Sequence, residues 1–397
     1  MSGPPRWPVH PAPTDGEALS SWLRRIAGCY GTDTEHLGDD IGYKLGAGDL
    51  DDIDMAPRPG MIEVLAERTG VAPARLRQMS VAGWVPWLLD DMDPGTDGFA
   101  TYTRQLSVLR PAGKHKARLV PSWRPWLPDR LPARGCPECV AATPSPHPYQ
   151  LLWAIPIVFS CPAHGCWLEA TLAARSYFGM WDFDRPAPRP APQQILTLDQ
   201  RTQHAFALGH VDLPRRRVNA GIWFRLLRTV IDELSCPLSE NRPSDTGTIR
   251  QIWKEAGYPA RDGQGLWRPY EQQPETVQRH TMEAAAAAIA LLEAGTVTGR
   301  GTHASLFLPE PYREIDNGKP AKENPQEKAV YPKPLRQALE EAIQASREDP
   351  AEAQALYNFA LIGCRTPESV TRLRADFAEL GIPLETMSPI STHASFA

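Results

Sequence analysis

Cys136-Pro137-Glu138-Cys139 and, after 21 intervening residues, Cys161-Pro162-Ala163-His164 decide how this chain is read. Two residues between ligands let a turn aim both side chains at one ion. Two such pairs make a closed four-ligand shell, the arrangement that structural zinc adopts in ribbons and knuckles. The expectation is one structural Zn2+ held by Cys136, Cys139, Cys161 and His164. Two rivals stay open: Cys166 follows His164 by two positions and His147 lies in the intervening loop, and either can replace one of the four. A nucleophilic pair built from Cys161 and His164 would leave Cys136 and Cys139 without a role. The seven cysteines are an odd number with no secretory signal beside them, which does not read as a disulfide framework. Cys29, Cys236 and Cys364 stand alone and are expected to pack as small apolar groups.

The chain around this module has 397 residues, room for two or three domains. Its 42% hydrophobic and 22% charged content is that of a folded protein, while 41 prolines imply short elements and long connections. The longest apolar runs, Leu151 to Cys161 and Ala284 to Leu292, are too short to span a bilayer. The opening MSGPPRWPVHPAP has no apolar core of a signal peptide, so a cytoplasmic protein without membrane contact is expected.

Outward from the module the pattern is mainly α. Leu19, Trp22, Leu23 and Ile26 recur at helical spacing, with Thr14 or Asp15 placed to cap. A Gly- and Asp-rich connection follows. Residues 61–79 then read as two short helices around Gly70, with Pro73 in the first turn of the second, resembling a helix-turn-helix. Leu151 to Phe159 reads as a buried strand anchored by Trp153 and Phe159, and RPAPRPAP at 185–192 as an extended linker. Helices are expected over Asn219 to Leu234, Ile249 to Ala256, Pro274 to Ala294, Pro334 to Arg347, Ala351 to Cys364 and Pro367 to Leu380.

The resulting organisation is an N-terminal helical domain over 1–100 carrying the helix-turn-helix, and a basic, Trp-rich segment with a small zinc ribbon of short β-strands over 101–184. The linker at 185–192 leads to a helical domain over 193–309. A polar linker over 310–333 and C-terminal helices over 334–397 complete the chain.

Charge is segregated. Residues 1–100 hold eight Lys and Arg against sixteen Asp and Glu, including Asp49, Asp51, Asp52 and Asp54. Residues 101–135 reverse this, with Arg104, Arg110, Lys114, Lys116, Arg118, Arg124, Arg130 and Arg134 against Asp129 alone. Interleaved with Trp123 and Trp126, that strip suits contact with a DNA or RNA backbone, although the tryptophans of both Trp-x-Pro-Trp motifs, Trp84 to Trp87 and Trp123 to Trp126, read best as core. Arg75 and Arg77 on the second short helix can reach phosphate or bases. Their acidic surroundings would repel a duplex, which favours a protein-docking or dimer surface.

No phosphate-binding Gly-rich loop, dinucleotide fingerprint, H-E-x-x-H or G-x-S-x-G occurs, so a non-catalytic role is expected. Three features together resemble the TniQ family of transposition-associated proteins. They are Gly16-Glu17-Ala18-Leu19-Ser20-Ser21-Trp22-Leu23-x-Arg25, Leu65-Ala66-x-x-Thr69-Gly70 with Leu76, and Cys136-Pro137-x-Cys139 … Trp153 … Cys161-Pro162-x-His164-Gly165 … Leu168. The resemblance covers roughly residues 5 to 175. It implies an adaptor, not a transposase, that joins a transposition machine to its target site; in CRISPR-associated transposons such adaptors bridge an RNA-guided effector and an AAA+ regulator. Many relatives carry a further Cys pair after the position of Leu168. Here Glu169, Ala170 and Thr171 stand instead, so one metal is expected. The alternatives are a stand-alone helix-turn-helix DNA-binding regulator and a metal-dependent nuclease.

Overall fold

Apolar residues at helical spacing place the first helix, α1 (Leu19–Cys29), with Leu19, Trp22, Leu23 and Ile26 all buried. The computed structural model describes residues 6–112, 120, 122–171, 178–238, 243–261, 263, 268–308, 333–361 and 367–383. Neither Thr14 nor Asp15 caps α1. Its N-cap is Ala18, and the open N–H of Ser20 is met from 34 residues away: it donates to Asp54 Oδ1 at 2.8 Å while Ser20 Oγ donates to Oδ2 at 2.6 Å. Asp54 is therefore buried, not part of a solvated acidic patch.

The stretch expected to be a Gly- and Asp-rich connection contains two helices, α2 (Thr34–Ile41) and α3 (Ala47–Met55). Each buries only a couple of large apolar side chains, Leu37 and Ile41 or Leu50 and Ile53, too few for a period to stand out among the carboxylates. Next come α4 (Met61–Thr69) and α5 (Pro73–Arg77), joined through Gly70, whose φ of 73° is open to glycine at little cost. Trp7, Leu23, Met61, Leu65, Leu76 and Met79 fill the core that these five helices share.

After α6 (Gly98–Arg104) the chain enters the ribbon. Strands β1 (Arg134–Gly135), β2 (Ser160–Cys161), β3 (Cys166–Trp167) and β4 (Glu169–Ala170) form two antiparallel pairs, β1 with β4 and β2 with β3. Helix α7 (Pro137–Ala141) follows β1. Leu151 to Phe159 is buried as expected but is not a strand. Leu151–Ala154 turns as a 3-10 helix, and Pro156 lacks the N–H a ladder would need. A run covered on all sides needs no alternation, so apolar composition alone did not distinguish the two. Arg134 replaces the missing ladder: Nε donates to Trp153 O at 3.2 Å and Nη2 to Ile155 O at 3.1 Å and Val158 O at 3.2 Å.

The Pro-rich stretch 185–192 is not a free linker. Trp167 N–H donates to Arg189 O at 2.9 Å and Ala191 N–H to Gly165 O at 3.0 Å, which docks it on the ribbon edge. It leads into α8 (Gln193–Leu208), the hairpin β5 (His210–Asp212) and β6 (Arg217–Asn219), and helices α9 (Ala220–Leu234), α10 (Pro243–Glu255) and α11 (Glu275–Glu293). One core runs through ribbon and helices alike, with Trp153, Ile155 and Leu168 in the same cluster as Leu198, Phe224 and Ala285. A ribbon this small has too little apolar surface to fold around alone, and the helices supply the rest. Residues 1–313 accordingly form one compact unit, and 314–397 a second. In the second, α12 (Lys333–Glu348), α13 (Pro350–Leu361) and α14 (Pro367–Glu379) surround Ala353, Tyr357, Phe377 and Ile382. The polar linker expected over 310–333 lies outside the described residues up to 332. The architecture is thus mainly α, with fourteen α-helices among the described residues and only two-stranded sheets. No helix among them is long and apolar enough to cross a membrane.

Candidate metal centre

Strand β1 delivers Cys136 to the start of α7, where its Sγ accepts the Cys139 N–H at 3.4 Å. Pro137 occupies the first turn, where its lack of an N–H costs nothing, and one helical turn carries Cys139 back beside Cys136. The second pair sits in the turn between β2 and β3. His164 N–H donates to Cys161 O at 3.2 Å, and Gly165, at φ 63°, returns the chain into β3.

The two turns face each other. One donor atom from each of Cys136, Cys139, Cys161 and His164 lies within 4.8 Å of the other three. His164 Nδ1 is 3.4 Å from Cys136 Sγ, 3.3 Å from Cys139 Sγ and 3.4 Å from Cys161 Sγ, and the Cys139 and Cys161 sulfurs are 3.7 Å apart. A tetrahedron with metal–sulfur bonds of about 2.3 Å and a metal–nitrogen bond of about 2.0 Å has edges of about 3.8 Å between sulfurs and about 3.5 Å from sulfur to nitrogen. The donors are therefore at the spacing that one ion requires. Cys136 and Cys161 are buried, Cys139 is half-buried and His164 is exposed.

The electrostatics agree. Hydrogen bonds from Cys139 and Cys161 hold the Cys136 thiol down to about 3, while the same crowding drives Cys139 up. Negative charge on sulfurs this close calls for a cation beside them, which a bound metal would supply. Cys166 is the cross-strand partner of Cys161 and lies 3.6 Å from Cys136 Sγ, but it is not one of the four mutually close donors. Burial and the neighbouring Cys136 push its thiol up to about 12. His147 is turned to other work, with Nδ1 3.1 Å from Thr143 Oγ1 and Nε2 3.4 Å from Asp182.

Sequence reading missed three buried carboxylates, of which Asp199 holds this module in place while Glu271 and Glu233 tie the segment before it to the helices. Asp199 on α8 accepts through Oδ2 from Phe159 N–H at 3.0 Å, Ser160 N–H at 2.7 Å and Ser160 Oγ at 2.6 Å, immediately before ligand Cys161. Glu271 forms a buried pair with Arg228, at 2.8 and 3.2 Å, and also accepts from Trp123 Nε1 and Trp126 N–H. Glu233 on α9 gathers the N–H groups of Val108, Leu109 and Arg110. Glu233 falls among Val230, Ile231 and Leu234 on an apolar stripe, the one signal that could have marked it as buried.

Among the described residues, those expected to touch nucleic acid do not share one exposed strip. Arg104 is exposed and Arg124 half-buried, whereas Arg110 is 3% exposed, and Lys114, Lys116 and Arg118 lie outside the described residues. Arg134 is interior. On α5, Arg75 pairs with Asp15 at 2.6 Å and Arg77 with Glu63 at 2.8 Å. Trp123 and Trp126 are core as expected, but Trp87 is exposed.

Compared with known proteins, the chain finds no match among curated sequences or among solved structures. The family model TniQ matches residues 8–168, an interval that holds all four metal donors and stops before α8.

Proposed function

From the TniQ match over residues 8–168, we propose that this protein is a non-catalytic adaptor of DNA transposition, which links target-site recognition to a transposase or its AAA+ regulator. The observation that carries the reading is that the matched interval ends in a four-donor knot locked to the helices behind it. Three thiolates and one imidazole in a tetrahedron select Zn2+, and four protein donors leave no position for a reacting water, so the ion's role is structural. Bound, it adds on the order of 10 kcal/mol of local folding free energy. Its partners are transposition proteins, an AAA+ regulator, a transposase or an RNA-guided effector, in the cytoplasm, with a homodimer as one assembly in which they are met.

For the pair α4 and α5, docking to protein is favoured over base reading as a helix-turn-helix. The ion pairs of Arg75 and Arg77 neutralise the side chains that would have to reach phosphate or bases. Contact with a nucleic-acid backbone along 101–135 then rests on Arg104 and Arg124, and on Lys114, Lys116 and Arg118 if they join them.

The test is reconstituted transposition in which this protein is combined with a candidate transposase and AAA+ ATPase. Insertion at the directed site should require it, and it should capture the ATPase or transposase from a purified mixture. Directed insertion that proceeds unchanged in its absence sinks the reading. A palindromic site selected by the protein alone, lost in Arg75→Ala and Arg77→Ala, would establish the regulator instead, and DNA cleavage by purified protein with Mg2+ or Mn2+ the nuclease.

A further inference from the structure

We propose that the α10–α11 face of this protein is a second phosphate-binding surface, built to take the phosphodiester backbone of a nucleic acid. Arg250 and Lys254 stand one helical turn apart on the exposed side of α10, opposite the buried Ile249, Ile252 and Trp253. They line an open groove of about 430 Å³ whose other walls are Gly257, Tyr258, Pro259 and Ala260. Behind Tyr258 stands His280 of α11, stacked on its ring at 4.0 Å, and Arg261 Nη2 donates to His280 Nδ1 at 2.7 Å. Burial and the cations Arg261 and Arg279 lower the His280 pKa, so the neutral ring is the form that accepts.

Several guanidinium groups of the chain are neutralised by its own carboxylates, as Arg75 is by Asp15, Arg77 by Glu63 and Arg300 by Asp245. Among the described residues none of Arg250, Lys254, Arg261 and Arg279 is in an ion pair. The Nε atoms of Arg261 and Arg279 are buried without a hydrogen-bond partner. Two carboxylates lie on the same elements. Glu255 ends α10, and Glu283 accepts the Tyr258 hydroxyl at 2.7 Å with its pKa raised by burial.

Like charges one turn apart on a helix repel, so a Lys254 above Arg250 is unfavourable until an anion lies between them. An open groove lined by two cations, Arg250 and Lys254, and a half-exposed tyrosine ring suits a chain of phosphates with bases or sugars alongside. Arg279 lies over the Trp167 ring of the metal ribbon at 5.4 Å, so the surface is continuous with the module matched to TniQ. The inference rests on the adaptor reading only in taking a nucleic acid as the ligand.

Full-length protein is titrated with a fluorescent DNA duplex and a single-stranded RNA at salt between about 50 and 200 mM. Inorganic phosphate and anionic phosphatidylserine vesicles are run as separate arms. Arg250→Ala with Lys254→Ala, at exposed positions, should leave circular dichroism and metal content intact. It should weaken nucleic-acid binding by roughly tenfold or more. The salt slope should become shallower by about 2, while Arg58→Ala changes neither. An unaltered slope and affinity in the double variant overturns the proposal, as does parent protein that binds neither nucleic acid, or that binds phosphate or vesicles alone. Partner capture is read in a different assay, so a failure of the adaptor reading is told apart from a failure of this one.

Discussion

Cys136 shows how much one side chain carries here: its sulfur caps the first turn of α7 and faces the other three donors at once. Cys166, 3.6 Å away, has the same chemistry and a different place, on the strand behind the turn. Cys166→Ser should therefore retain one metal per chain by elemental analysis, whereas Cys136→Ser should fall well below stoichiometry; equal loss in both would put Cys166 in the shell. Asp199 makes a prediction in pH. Burial raises its pKa to about 7 from the ordinary 3.8, chiefly against the pull of the Phe159 and Ser160 donors. Between those values the unfolded chain has released a proton that the folded chain keeps, so this contribution is full at about pH 4 and is lost as pH rises through about 7. Urea unfolding should show parent stability declining by a few kcal/mol across that window and Asp199→Asn nearly flat across it. Parallel curves for the two proteins would mean that Asp199 is ionised in the fold.

Elements in this protein are short, and their ends are set by contacts made at a distance. Strand β1 has two residues, and its Gly135 is where Phe178 packs: a Cβ there would lie 2.5 Å from the Phe178 ring and 3.5 Å from Trp153. Gly135→Ala should cost about 1–3 kcal/mol by overpacking, and because Cys136 is the next residue it should also speed metal loss to a chelator. Unchanged release kinetics would show that β1 does not position the ligand. Legibility at this scale followed how clearly an apolar period or a turn residue marked the element. Helices α9 and α11, with 15 and 19 residues, repeat their apolar period often enough to be read, and both lie where the pattern put them. Helices α2 and α3, of 8 and 9 residues, do not. Helix α8 has 16 residues, but its start is marked by the Pro-rich segment and nothing within it was singled out.

For the molecule as a whole, the shared core and the bonds from Phe159 and Ser160 to the buried Asp199 of α8 make the ribbon inseparable from the helices around it. All twelve tryptophans fall within the unit 1–313, so their emission reports that unit alone. Chelation should then lower the midpoint of the whole tryptophan transition and keep it a single step, since loss of the metal is felt throughout one compact unit. A separate early step, with the remaining transition unmoved, would mark the ribbon as an independent module.

The sequence by itself determined the two ligand-spaced pairs, the turns that present them and the mainly helical class, because each depends on residues close together in the chain: x-x spacing aims a ligand pair, and a 3.6-residue period makes a helix face. Tertiary structure decided the rest. Whether Asp54 is a surface acid or a cap, whether Arg134 and Arg110 face solvent or the interior, and whether 185–192 links or docks depend on what packs against them. So does the meeting of Tyr258 and Arg261 with His280 of α11, which no local pattern announces. A charge is read from a residue's name, but the free energy of that charge depends on the water and partners around it, and these exist only once distant segments have met.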